Sequence, residues 1–351
     1  MEKEETNGKA SYPDPDAPER KAQVLPGGHT KGSGSEEREQ AKRDLDDGLD
    51  IGDNTTVKEF CEIWLKDYKE GVVRDTTYMS LSSTLNTHVI PTIGRLRIRD
   101  VKPAHIQKMV HMMEGKAKST QARVLTITRS MFTVAVENGL IKRNPCIKSI
   151  KPRGEETEER SPLTSEQAEQ LLDAARGTSM YLFVLIGLEA GLRRGELLGL
   201  QWKDIDFDAG MISVNRSITP TKDNYEGEIN IELKTDAARR TIPVARSLIE
   251  ELRSARSRSK SVYVIPGKNG KFMGMSTCSY HWGNLVHRVG FDVVPHQMRH
   301  TRITRWFEQG LNIKDVQYLA GHSNSRMTLD VYTHFRAEER ISEIAEKVNA
   351  L

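Results

Sequence analysis

The first periodic stretch of the chain is TTVKEFCEIWLKDY, residues 55 to 68, where Val57, Phe60, Cys61, Trp64, Leu65 and Tyr68 recur three and four positions apart. That spacing puts the apolar side chains on one helix face, with Thr55 or Thr56 as the cap. A second helix is expected over 74–88, followed by a turn at PTIG, residues 91–94. VKPAHIQKMVHMM opens a third helix, with Pro103 in its first turn and Ile106, Met109, Val110 and Met113 as its stripe. A fourth runs from Ser119 to about Asn138, where Gly139 and Pro145 end it. Residues 54–150 therefore read as an all-helical bundle.

The pattern then breaks. Residues 151–160, KPRGEETEER, hold no aliphatic or aromatic side chain and read as a linker. Order restarts at SPLTSEQAEQLLDAA, where Thr164 and Gln167 carry a capping signature. The helical period persists through YLFVLIGLEAGLRRGELLGL. It gives way to three short β stretches, MISVNRS, EINIEL and RRTIPV. From Ser247 onward the pattern is helical again, apart from a short VYVIP strand. The last segment, AEERISEIAEKVNAL, puts Ile341, Ile344, Ala345 and Val348 on one face. The implied fold class is multidomain and mainly α: a helical bundle, then a mixed α+β domain with a small three-stranded antiparallel sheet. The domains are 54–150, a linker at 151–160, and 161–351. Residues 1–53 differ from both. PDPDAPER and LPGGHTKGSGSEE are rich in Pro, Gly, Ser and charge without an apolar period, so this region reads as disordered, with a short polar helix possible near 36–50.

Charge sharpens this division. Residues 1–53 carry 8 Lys and Arg against 14 Asp and Glu, whereas the remaining residues carry 44 against 35. A basic body behind an acidic tail suits a polyanionic partner such as nucleic acid. No run of about twenty apolar residues exists, so no membrane span is expected, and the N-terminus lacks the apolar core of a secretory signal. Cys61, Cys146 and Cys278 are isolated and odd in number, which argues against a disulfide framework or zinc cluster and for a reducing, cytoplasmic setting.

Five stretches of the second domain concentrate unusual polar residues: AGLRRGELLGLQW (190–202), IELKTDAARRTIPV (231–244), PHQMRHT (295–301), LAGHS (319–323) and DVYTHF (330–335). In this order they resemble the catalytic boxes of the tyrosine recombinases, the phage-integrase family. Its Gly-Leu-Arg-x-x-Glu-Leu box matches Gly191, Leu192, Arg193, Glu196 and Leu197. Its hairpin lysine matches Lys234, and its His-x-x-Arg-His box matches His296, Arg299 and His300. Its Leu-Gly-His box matches at His322, with Ala320 in place of the more usual Leu. Its closing Tyr-Thr-His matches Tyr332, Thr333 and His334. The resemblance spans residues 160–340 specifically. It extends less specifically to the helical bundle, which resembles the family's SAM-like core-binding domain.

The residue types fit phosphodiester chemistry. Opening a phosphodiester adds negative charge to the non-bridging oxygens, and two always-charged, bidentate arginines, Arg193 and Arg299, can clamp one phosphate. His296 and Arg299 are three apart and share a helix face. A phenol has a pKa near 10, so Tyr332 needs these cations and His322 nearby to attack as the nucleophile. The resemblance implies Lys234 as general acid for the leaving 5′-oxygen. Glu196 reads as a structural partner of a buried arginine and His300 as hydrogen-bonding support. No metal or other cofactor is expected. Zinc on His296, His300, His322 and His334 is disfavoured by their spacing.

The resemblance implies a site-specific recombinase or integrase of a mobile element. It cleaves and rejoins double-stranded DNA through a 3′-phosphotyrosyl intermediate and a Holliday junction. The two domains close as a clamp, and the assembly is a tetramer on two duplexes. Accessory DNA-bending or directionality factors, a bacterial or phage origin and a C-terminal helix at 337–349 that docks on its own or a neighbouring subunit are implied too. Residues 1–53 are either a simple tail or the remnant of an arm-binding domain. Two alternatives stay open: a catalytically silent, partner-dependent DNA binder, which should have lost a box residue, and a type IB topoisomerase-like enzyme that relaxes DNA with the same tyrosine.

Overall fold

The computed structural model describes residues 54–156, 160–231, 239–329 and 349. Residues 1–53, Lys234, Tyr332, His334 and nearly all of the expected C-terminal helix lie outside the described residues.

Helix α1, Val57–Tyr68, begins with a reciprocal cap. The Glu59 amide donates to Thr56 Oγ1 at 3.3 Å, and the Thr56 amide donates to Glu59 Oε2 at 2.8 Å. It buries Val57, Phe60, Cys61, Trp64 and Leu65, while Tyr68 is half-buried and donates its hydroxyl to Asn138 Oδ1. Helices α4 (Pro103–His111) and α5 (Lys118–Glu137) bring Ile106, Met109, Val110, Met131, Phe132 and Ala135 into the same core. The second helical segment departs from expectation. Instead of a helix and a turn at PTIG, helix α2 (Asp75–Thr84) runs through a π-helical segment, Leu85–Val89, into α3 (Ile90–Ile93). The π segment carries the chain past Pro91, which has no amide to give the ladder, and the Thr92 hydroxyl donates at 2.9 Å to the carbonyls of His88 and Val89.

Past the bundle, Arg153 and Lys118 tie the chain back. The Arg153 amide donates to Gln121 Oε1 at 2.8 Å, and the Lys118 amide donates to the Glu155 carbonyl at 2.8 Å. Helix α6 (Ser165–Ala175) starts at Thr164 with the expected cap from Gln167. Helix α7 (Tyr181–Ala190) is apolar on all sides and runs through the middle of the core, as such a helix must. It packs against helix α11 (Pro295–Glu308) at Gly187, where an added Cβ would lie 2.8 Å from Met298 Cε. Helices α9 (Arg246–Arg258) and α10 (Met275–Val289) flank it, with Phe183 edge-on to Trp282 at 5.9 Å.

The sheet has three antiparallel strands, as expected in number but not in membership. Strands β1 (Ile205–Asp206), β2 (Met211–Val214) and β5 (Arg240–Pro243) pair in the order β1-β2-β5, with Ile205, Ile212 and Ile242 in register and buried. The EIN stretch instead forms β4 (Glu228–Asn230) and pairs with β3 (Ser217–Thr219) in a separate hairpin. VYVIP is not a strand. It lies along residues 200–202 through two backbone hydrogen bonds and one bridge, Gln201 with Tyr263. Trp306 is core, whereas Tyr318 is 55% exposed and accepts the Thr241 amide on its hydroxyl.

No helix among the described residues is long and apolar enough to cross a membrane.

Candidate active site

The site is built on the end of a short helix. Asn312 caps helix α12 (Ile313–Ala320) by accepting from the amides of Lys314 and Asp315 at 3.0 Å. Gly321 ends it in the left-handed region, at φ 62°. The His322 amide then reaches back to the Gln317 carbonyl at 3.1 Å and the Gly321 amide to that of Tyr318 at 2.9 Å. The next three carbonyls, of Leu319, Ala320 and Gly321, are left over. Each accepts from a different arginine: Arg240 Nε at 2.7 Å, Arg299 Nη2, and Arg193 Nη2 at 2.7 Å. Cations are favoured at this negative end of the helix.

These arginines come from three elements. Arg193 immediately precedes helix α8 (Arg194–Gly199), after Gly191 ends α7 in the left-handed region at φ 65°. Arg299 lies on α11, is 1% exposed, and donates from Nη1 to the Gly191 carbonyl at 2.8 Å. Both left-handed glycines thus present a carbonyl to an arginine, a turn that a Cβ would strain. Arg240, on β5, is wholly buried. Glu196, on α8 and 4% exposed, receives Arg193 Nη1 at 2.8 Å and Arg240 Nη2 at 2.9 Å. Burial pushes the Glu196 carboxyl up, but Arg240, Arg193 and Arg299 outweigh it and hold it at about 2. Burial, with Arg193 beside it, lowers Arg299. A guanidinium starts above about 12, and Arg299 with two carbonyl acceptors and Glu196 close by remains the cation.

The histidines stay neutral. His322 is 6% exposed, and its Nδ1 shares a 2.9 Å hydrogen bond with Thr328 Oγ1. Burial first, then the charges of Arg299, Arg193 and Arg240, bring it down to about 3. His296 sits at the exposed rim of α11. Partial dehydration of its ring, with His300, Arg299 and Arg193 nearby, brings it down to about 4. His296 and His300 stack edge to face, with centroids 4.7 Å apart. Among the described residues, no group of three or more His, Cys, Asp or Glu side chains is placed to hold a metal ion.

These shifts carry a stability prediction. Both imidazoles take a proton less readily in the folded chain, so the unfolded state gains protons first as pH falls below about 6.5. Glu196 continues the trend, with a folded value of about 2 against its ordinary 4.5. The expected result is a Tm that drops steadily from pH 7 to pH 4. His322→Gln removes one contributor, so the drop should be shallower in that variant. Calorimetry across that range checks it, and parallel curves for the two proteins would refute it.

Six of the expected residues, Arg193, Glu196, His296, Arg299, His300 and His322, converge here from α8, α11 and the end of α12. Lys234 and Tyr332 lie outside the described residues. Two residues of the site were not read from sequence. Arg240 was noted only as a neighbour of Lys234, and Thr328 was not singled out at all. The pairing of a buried arginine on a strand with Glu196 is a long-range fact, and the only sequence hint was an Arg flanked by the apolar TIP strand.

The family model described as the phage integrase family matches residues 161–339, and one described as the phage integrase N-terminal SAM-like domain matches residues 56–113. This chain belongs to the phage integrase family. Among its integrase relatives, a "Tyrosine recombinase XerC-like" protein of Caldanaerobacter subterraneus subsp. tengcongensis is 26% identical, over 92% of this chain and 90% of that one. The "Transposase from transposon Tn916" of Enterococcus faecalis is 25% identical, over 87% of this chain and 80% of its own length. The fold matches the Tn1549 transposon integrase, solved in complex with transposon right end DNA. That match has a TM-score of 0.70 at 25% identity, covering 84% of this chain and 99% of that one. A SAM-like helical domain followed by a catalytic domain with a small antiparallel sheet is the family architecture. The arginine–histidine cluster lies wholly within the 161–339 match.

Proposed function

We propose that this integrase cuts and rejoins double-stranded DNA at specific sites of a mobile element, through a covalent link between Tyr332 and a DNA 3′-phosphate. The observation that carries the reading is the charge balance of the cluster. Arg193 and Arg299 come from different elements, two neutral histidines stand beside them, and the carboxylate that binds Arg193, Glu196, is already saturated by arginines among the described residues. A centre so biased toward positive charge, and held rigidly by backbone carbonyls, suits a phosphodiester gaining negative charge.

Arg193 and Arg299 take the non-bridging oxygens. Arg299 Nε is buried without a partner among the described residues, which leaves a donor for a phosphate oxygen. With Thr328 donating to Nδ1, neutral His322 keeps its proton on Nε2 and donates it to the same phosphate. His296 lines the rim of the site, with His300 packed behind it. Tyr332, its phenolic proton lost to solvent under the pull of the two arginines, attacks phosphorus; the P–O5′ bond breaks, Lys234 protonates the leaving 5′-oxygen, and the bond energy is retained in the phosphotyrosyl link. A 5′-hydroxyl of a second strand reverses the step, so strand exchange through a Holliday junction needs no ATP. The domains at 54–150 and 161–351 close on DNA as a clamp, joined by residues 151–160. A tetramer on two duplexes, linked by the helix at 337–349, completes the assembly in the cytoplasm of a bacterial host. Relatives named for recombination and transposition favour this reading over a silent DNA binder or a DNA-relaxing enzyme.

The test is covalent trapping. The protein is mixed with a pool of short nicked duplexes of random sequence and quenched in SDS. A protein–DNA adduct is expected, and sequencing the trapped DNA identifies the preferred site. Because side chains supply the positive charge, the yield should be unchanged in EDTA. A yield that collapses in EDTA would refute the metal-free mechanism.

A further inference from the structure

Three consecutive carbonyls each hold an arginine, yet only two of those arginines have a part in the reaction. Arg240 is the third. It is fully buried, donates from Nε to the Leu319 carbonyl at 2.7 Å, and places both Nη atoms on Glu196, at 3.2 and 2.9 Å. Its Nε and both Nη atoms are held by protein acceptors, whereas Arg299 Nε has none among the described residues. The two anchors of Arg240 are nevertheless the parts on which the phosphate clamp stands. Glu196 also binds Arg193, and Leu319 leads through Ala320 and Gly321, the acceptors of Arg299 and Arg193, to His322.

Charge decides what this arrangement does. Three arginines and one carboxylate leave a net of two positive charges around the phosphate position. A phosphodiester carries one negative charge, and its transition state approaches two. Without Arg240, Glu196 would draw on Arg193, which it binds, and through space on Arg299, and the charge of the cluster would fall by one.

We infer that Arg240 is a positioning residue for strand cleavage: it neutralises Glu196 and pins the Leu319 carbonyl, so that Arg193 and Arg299 face the phosphate with their full charge. The inference rests on the function proposed above. It predicts that Arg240→Gln slows cleavage without weakening DNA binding. It also predicts that the double variant Glu196→Gln with Arg240→Gln, which restores the net charge, recovers much of the lost rate.

The experiment uses the full chain and the same pool of nicked duplexes. Single-turnover adduct formation is followed for wild type, Arg240→Gln, Arg240→Lys and the double variant. Each is assayed well below its own melting temperature, with gel-shift affinity measured alongside. Loss of one charge-stabilising contribution is worth about 100-fold in rate, and Arg240→Gln should lose about that much while its affinity stays within about threefold. The double variant should regain at least about tenfold, and Arg240→Lys should fall between. A rate within about threefold of wild type for Arg240→Gln would overturn the inference. So would a double variant no faster than the single one, since packing alone would give that result. If wild type itself forms no adduct, the proposed function falls and takes this inference with it, a result told apart by the wild-type lane alone.

Discussion

Tyr332→Phe is expected to bind duplex DNA as tightly as wild type and to form no covalent adduct at all. The substitution removes one oxygen and keeps the ring, so in the proposed mechanism only the attacking atom is lost. Among the described residues Cys61, Cys146 and Cys278 are all buried, with thiols pushed by burial up to about 12, 12 and 11. SDS gels of the trapped mixture decide the matter. An adduct in the variant would move the nucleophile to another residue and undo the mechanism.

Arg299→Lys has the next largest expected effect, a loss of about 100- to 1,000-fold in the rate of adduct formation. The guanidinium of Arg299 spans two carbonyls on opposite sides, Gly191 on one and Ala320 on the other. A lysine carries the same charge but a single nitrogen, so it can hold one carbonyl and lose the second. The carbonyl it abandons is buried, and an unsatisfied buried acceptor costs about 1–3 kcal/mol. Tm should therefore fall together with the rate, while gel-shift affinity, dominated by other phosphate contacts, changes much less. A lysine variant that cleaves at the wild-type rate would show that charge alone suffices and that the planar fork plays no part.

The helices were legible because their information is local. Thr56 with Glu59 and Thr164 with Gln167 are caps within one turn, and the stripe of α1 is a repeat within a dozen residues. The chemical residue types were legible for a related reason. His296 and Arg299 must share one face of one helix, and Gly191, Arg193 and Glu196 one turn, so each box is a short pattern. The misreadings have equally physical causes. Pro91 signals a turn, but a π-helical segment absorbed its missing amide. EINIEL alternates like a strand of the sheet, yet its EIN residues pair with β3 in a separate hairpin, a partnership no local pattern marks.

By itself, then, the sequence determined the order of the helices, the charge of the body and the short polar motifs that the fold brings together. Only the tertiary structure decided which strands form the sheet and what holds the arginines in place. The supporting contacts join residues 44, 79, 108 and 128 positions apart: Glu196 with Arg240, Arg240 with Leu319, Arg299 with Gly191, and Arg193 with Gly321. Most of these acceptors are backbone carbonyls, which every residue carries and no sequence marks. A helix end leaves such carbonyls unsatisfied wherever it stops, and it is the folding of distant segments around that end that gives them arginines as partners.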